Sequence, residues 1–137
     1  GRSLLDWGCG SGILAVAALC LGARSATGVD VDPRALSASI DNAKRNAVAK
    51  NLAVLPPDEV PADLACDVVV ANIVADTLIA LAPVLSAHLR TGGRLLLSGI
   101  LPGQARRVST AFTGYNFASR QRDEWVLLEG TRSTAAY

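Results

Sequence analysis

Short apolar runs alternate with helix-length stretches from one end of the chain to the other. Ser3-Leu4-Leu5 predicts a strand that runs into Asp6 and a glycine cluster. Residues 12–21 are apolar nearly all round, which predicts a buried helix stopped by Gly22. Ser25 to Val29 predicts a second strand ending at Asp30. Asp32-Pro33 then supplies an N-cap and a first-turn proline, and Leu36, Ile40, Ala43 and Ala47 follow at helical spacing. Leu52 to Leu55 is a weaker strand, and the proline- and acid-rich residues 56–65 form a loop. Residues 67–71, with three consecutive valines, form the clearest buried strand. Leu78, Leu81, Ala82, Leu85 and Leu89 predict a helix that Pro83 should kink or divide. Thr91-Gly92-Gly93 turns the chain into a strand over 94–98, and residues 102–113 are helical with Ala105, Val108 and Phe112 on one side. Two strands, 117–121 and 125–129, end the pattern across a short charged turn.

This alternation predicts a doubly wound α/β fold: a parallel, Rossmann-like sheet with helices on both faces. The last two strands are too close together for a helical crossover, so they pair antiparallel. Ligands of such sheets sit beyond the carboxyl ends of the strands, where the strand order reverses. Three segments are therefore candidates for a site: residues 6–12, 30–32 and 72–76.

Composition narrows the function classes. The 137 residues are 50% hydrophobic and 18% charged with a net charge of +1, which suits one globular domain and excludes a disordered chain. So small a charge argues against a broad nucleic-acid or membrane-surface footprint. The longest apolar run, Ile13 to Leu21, is about half a membrane span. No leader pattern precedes a cleavage site, and the expected location is cytoplasmic, with a monomer the expected state. Cys9, Cys20 and Cys66 show no paired spacing and read as reduced, mostly buried thiols; no metal is expected. The chain contains no methionine and begins at Gly1, so a processed product, a cut domain or a partial sequence is expected.

Two cofactors compete for the glycine loop Asp6-Trp7-Gly8-Cys9-Gly10-Ser11-Gly12. Its second half fits a GxGxxA dinucleotide pattern, with Asp30 twenty residues after Gly10 as a ribose acid. That reading makes the chain an NAD-binding oxidoreductase domain. The longer string D-x-G-x-G-x-G is instead the signature of S-adenosylmethionine-binding methyltransferases. Electrostatics favours the latter, because a pyrophosphate at the helix N-terminus would be repelled by Asp6. S-adenosylmethionine carries no phosphate, and its ammonium and sulfonium tolerate a carboxylate. Asp6 then acts through loop geometry and long-range attraction, Asp30 accepts from both ribose hydroxyls, and Asp32 is a helix N-cap.

Asn72-Ile73-Val74-Ala75-Asp76 follows the best strand, where an Asn would project over the methyl donor. The N-P-P-[YF] of many amine and amide methyltransferases is absent apart from its Asn, which weighs against glutamine and adenine as substrates. The strings LLDWGCGSGILAVAAL, GVDVDPRALSASIDNAKRN, DVVVANIVADTLIALAP, GGRLLLSGIL and DEW, in this order, resemble the bacterial methyltransferases of large-subunit ribosomal protein eleven, the PrmA family. ANIVAD followed by SGIL is the most specific part. The resemblance covers nearly the whole chain and implies a seven-stranded methyltransferase sheet, with residues 1–137 as one S-adenosylmethionine-binding domain. It implies trimethylation of lysine side chains and an N-terminal amine on the ribosomal protein, with no direct nucleic-acid partner. By it, Gly8, Asp30 and Asn72 match cofactor-contacting positions, to which the loop adds Asp6 and Gly10. The family also has a small N-terminal domain that grips the substrate and a Thr-containing segment that closes over the cofactor; the chain starts too late for either.

Methyl transfer from a sulfonium to an amine is an in-line displacement, so the protein mainly positions and excludes water. A lysine ammonium, with a pKa of about 10.4, must first lose its proton, which desolvation and a nearby cation both favour. Asn72 is the catalytic candidate: it would accept a hydrogen bond from the amine and aim its lone pair, helped by the backbone carbonyls of Asn72 and Ile73. No residue resembles a dedicated general base. His88 reads as a surface or helix-end residue, Cys9 as a small packing residue, and Trp7 and Trp125 as core. Arg106, Arg107, Arg120 and Arg122 read as a solvated face. Other readings are a cofactor-binding remnant without turnover and a methyltransferase of the same fold with a different substrate.

Overall fold

The computed structural model describes residues 1–133. Seven strands, β1 (Ser3–Trp7), β2 (Ser25–Val29), β3 (Leu52–Leu55), β4 (Cys66–Asn72), β5 (Leu89–Ile100), β6 (Tyr115–Arg122) and β7 (Trp125–Arg132), form one sheet. Their order is β3-β2-β1-β4-β5-β7-β6. β1 to β5 run parallel, and β7 lies antiparallel between β5 and β6. The chain thus winds outward from β1 to β3, returns to the other side of β1, and winds outward again. The connections leaving β1 and β4 diverge to opposite faces, which opens a crevice at their carboxyl ends.

Four α-helices flank the sheet: α1 (Ile13–Cys20), α2 (Pro33–Arg45), α3 (Ala75–Ala87) and α4 (Ala105–Ala111). The main core lies under α3 and α4. Leu5, Val69, Leu95 and Leu97 from alternate strand positions meet Leu78 and Leu85 of α3 and Val108 of α4. Each such side chain, fully buried, contributes about 1.5–3 kcal/mol. α1 and α2 cover only the β1–β3 half of the other face. Beyond them Leu14, Val70, Leu96 and Leu127 line a hollow of about 270 Å³.

Several local expectations change. α1 is not buried all round: Ala15, Val16 and Leu19 face the sheet, while Ile13 is 70% exposed and the following Leu21 88% exposed. A helix at the border of a half-covered face buries one stripe whatever its composition. α3 runs undivided through Pro83, which lies on its exposed side, where a missing N–H costs least. Ala47 lies beyond α2 with φ of 58°, so the helix ends two residues earlier than its spacing suggests. Residues 102–113 split into a 3₁₀ turn and the short α4. Thr91-Gly92-Gly93 is a bulge inside β5, since Leu89 already pairs with Cys66 before Arg94 pairs with Val68.

Side chains shift as well. His88 is buried, its ring stacked on Trp7 at 6.0 Å and its Nδ1 2.7 Å from the Leu64 carbonyl. A carbonyl only accepts, so the proton sits on Nδ1. Trp7 is core, whereas Trp125 is half exposed. Cys9 and Cys66 are buried, but Cys20 is exposed; all three are free. Arg107 pairs with Asp76 at 2.7 Å. None of the helices among the described residues is long and apolar enough to cross a membrane.

Candidate active site

Register aligns the site. Trp7 of β1 lies beside Val29 of β2 and Ala71 of β4, so the next residues along each strand, Gly8, Asp30 and Asn72, stand level at the carboxyl edge. These are three of the positions singled out in the sequence. They come together because parallel strands in this register must end together.

The glycine loop turns its own donors inward. Gly8 and Cys9 both donate to the Val29 carbonyl, at 2.7 and 2.9 Å, and Gly12 donates to the Cys9 carbonyl at 2.9 Å. The Gly10 N–H donates to Asp30 Oδ2 at 2.9 Å, and the Asp32 N–H to Asp30 Oδ1 at 3.0 Å. A pyrophosphate-binding loop presents free N–H groups to its ligand. Here four of them are already taken, one by a carboxylate, so the loop suits a ligand without phosphate. Asp30 keeps further lone pairs on both oxygens facing outward at the rim.

Beneath the loop, Asp6 is 1% exposed and its Oδ2 has no hydrogen-bond partner. Burial lifts its pKa to about 6; the Ala15 N–H opposes the shift, and the nearby Asp30 charge adds to it. A buried carboxyl with an unpartnered oxygen is costly to ionise, which is why its pKa lies above the usual carboxylate range.

Two hollows flank the carboxyl ends of β1 and β4. On the α3 side, Trp7, Gly8, Val29, Asp30, Val31, Pro57, Ile73, Thr77 and Leu81 line a cleft of about 490 Å³. Asn72 does not line it. Asn72 ends β4 and borders the 270 Å³ hollow on the α1 side, whereas Ile73, in the bend that follows, lines this cleft. Val31, Pro57 and Thr77 were not apparent in the sequence, because neither their spacing nor their chemistry marks them.

Ile73 explains why ANIVAD and SGIL occur together. A Cβ on Gly8 would lie 2.7 Å from Ile73 Cγ2, and one on Gly99 would lie 2.8 Å from the Ile73 carbonyl oxygen and 3.1 Å from Asn72 Oδ1. Both glycines also have positive φ. The segment after β4 is thus held between the loop after β1 and the end of β5 at distances that only glycine permits.

The family profile described as ribosomal protein L11 methyltransferase (PrmA) matches residues 1–133. The chain belongs to the ribosomal protein L11 methyltransferase family. It is 56% identical over 131 residues to the ribosomal protein L11 methyltransferase of Chromohalobacter salexigens, covering 93% of this chain and 44% of that protein. It is 48% identical over 137 residues to that of Pectobacterium atrosepticum, covering 98% and 46%. The chain therefore spans less than half the length of these relatives. The crystal structure of ribosomal protein L11 methylase from Lactobacillus delbrueckii subsp. bulgaricus superposes with a TM-score of 0.88 at 31% identity, over 96% of this chain and 70% of that one. An RNA methyltransferase from Salinibacter ruber, solved with S-adenosyl-L-homocysteine, shares the fold, with a TM-score of 0.78 at 20% identity, over 99% and 84% of the two chains. The seven-stranded sheet is the fold shared with these two structures.

Proposed function

We propose that this chain is the S-adenosylmethionine-binding domain of an N-methyltransferase that modifies lysine side chains and an N-terminal amine of ribosomal protein L11. The observation that carries the reading is the loop whose N–H groups are turned inward above the orphan Asp6 carboxyl, in a chain of this family. The same loop disfavours a dinucleotide. Asp30 binds the ribose hydroxyls, Gly8 and Gly10 admit the ligand close to the backbone, and Asp6, buried beneath the loop, attracts its ammonium at longer range. When bound, the cofactor supplies a methyl group already activated on a sulfonium. Asn72, exposed at the strand end and bordering the neighbouring 270 Å³ hollow, accepts a hydrogen bond from an amine that enters from that side and directs its lone pair. With no dedicated general base assigned, the amine loses its proton to solvent as it enters the site, where desolvation and the neighbouring cation lower its pKa.

The partner is the ribosomal protein, and the working form is a cytoplasmic monomer. Residues 1–137 make up one domain, and the part that grips the substrate lies in the remaining length seen in the relatives. The half-length match and the open apolar face beyond α1 support that division. Calorimetry with S-adenosylmethionine, S-adenosylhomocysteine and NAD tests the reading: the first two bind and NAD does not. Saturable NAD binding without a response to S-adenosylhomocysteine would overturn it.

A further inference from the structure

The glycine loop is held from outside as well as from within. Ser39, on the buried side of α2, is 1% exposed, and its Oγ donates to the Gly10 carbonyl at 2.9 Å. Asn42 Nδ2, one turn further along the helix, donates to the Ser11 carbonyl at 2.8 Å. Positions three apart lie side by side on a helix, so both reach the same loop. The approach is close: a Cβ on Gly12 would lie 2.8 Å from Ser39 Oγ. Cys9 is wedged in the same place, its Sγ 3.7 Å from Ser39 Oγ and 3.0 Å from where a Gly28 Cβ would stand.

The result is a ring of hydrogen bonds. Gly10 is held at its N–H by Asp30 and at its carbonyl by Ser39. Asp30 accepts from the N–H of Asp32, and Asp32 caps α2 through the Arg34 N–H at 2.9 Å. α2 carries the ring back to Ser39. No Cβ contact within 4 Å would hinder a side chain at Gly10, so the far side of this clamped peptide is open space. We propose that Ser39 and Asn42 are positioning residues for the cofactor: from one side of α2 they hold the Gly10 and Ser11 carbonyls, and so lock the loop in its binding shape and tie it to Asp30. A packing role alone would be met better by Ala at 39, since a buried hydroxyl is costly unless bonded and Ala is the better helix former. The proposal rests on the S-adenosylmethionine reading above.

The test is S-adenosylhomocysteine titration calorimetry and steady-state methyl transfer in the natural full-length protein, with melting temperatures recorded alongside. Ser39→Ala should weaken binding about tenfold, which corresponds to about 1.4 kcal/mol. It should raise the cofactor KM by a similar factor and lower kcat less than twofold. Ser39→Cys, which keeps a weak donor, should recover part of the affinity. Asn42→Asp, at a half-exposed position, replaces the donor by a carboxylate that repels the Ser11 carbonyl, and should weaken binding several-fold without unfolding the chain. If both Ser39→Ala and Asn42→Asp bind as tightly as the parent protein, or if Ser39→Ala lowers only the melting temperature, α2 merely packs against the loop and the proposal fails. A parent protein that ignores S-adenosylhomocysteine would instead sink the cofactor assignment itself.

Discussion

At the scale of single residues, Asp6 and Asp30 are two carboxylates with different work, separated by burial. Asp6 has its pKa raised from 3.8 to about 6 by desolvation. Between those values the folded chain binds the proton more tightly than the unfolded one, so this group makes stability fall as pH rises from about 4 to 6. The ligand's α-ammonium favours the ionised form, so S-adenosylhomocysteine affinity should rise with pH through about 6, with proton release. Calorimetry in buffers of different ionisation enthalpy measures this, and Asp6→Asn should flatten the profile; a flat profile in the parent protein would remove Asp6 from the site. Asp30→Ala should cost about 1.5–3 kcal/mol of binding, the range for hydrogen bonds to a charged group. The structure adds that part of this loss comes from freeing the Gly10 N–H. For Asn72, a hydrogen bond made mainly in the transition state predicts that Asn72→Ala slows single-turnover methylation on the order of 10²-fold at saturating cofactor. A defect that vanishes on saturation would assign Asn72 to binding. Asp6, Gly8, Gly10, Asp30 and Asn72 stand out as candidates in the sequence because an acid, a glycine or an amide at a strand end breaks the apolar pattern. Ser39 and Asn42 were not, since a Ser and an Asn in a helix are ordinary until the helix is placed against the loop.

Among the elements, α2 shows how local chemistry sets a boundary. Asp32 accepts the Arg34 N–H, Pro33 fills the first turn, and Lys44 and Arg45 sit at the C-terminal end. Asp32→Ala should lower stability by about 1 kcal/mol in denaturant melts while changing cofactor affinity far less than Asp30→Ala does. The reverse order would mean that the two acids exchange roles. Strands β1 to β4 were readable because β-branched and leucine runs between turn residues have few alternatives. The helices were harder. α1 looks buried from its composition, yet burial depends on what covers each face. α3 keeps its geometry through Pro83 because Leu78, Ala82 and Leu85 anchor it to the sheet. His88 looked like a surface residue next to Arg90 until the chain brought Leu64 and Trp7 around it.

At the scale of the whole molecule, one face of the seven-stranded sheet is only half covered among the described residues, with Leu14, Val70, Leu96 and Leu127 bordering the open hollow. A chain that spans less than half of its relatives should methylate ribosomal protein L11 poorly by itself. Activity should return when the remaining length is supplied in the same chain. Turnover assays with the 137 residues and with the longer protein compare the two. Full activity in the shorter chain would place substrate recognition within it.

Strand–helix alternation, the acid–glycine loop, the ribose acid and the strand-end Asn follow from residue order alone, because each depends on neighbours within a few positions. Parallel pairing followed too, since the crossovers between the early strands leave no other arrangement. The placement of Asn72 and Ile73 in different hollows depends on where β4 ends and the chain bends toward α3 in the assembled sheet. So does the orphan oxygen of Asp6, which needs the loop, α1 and β4 around it to exclude water. The closure of the loop by α2 likewise joins residues about thirty positions apart. Local pattern fixes which groups stand at strand ends; packing between distant segments sets which of them are buried, which are bonded and which remain open to a ligand.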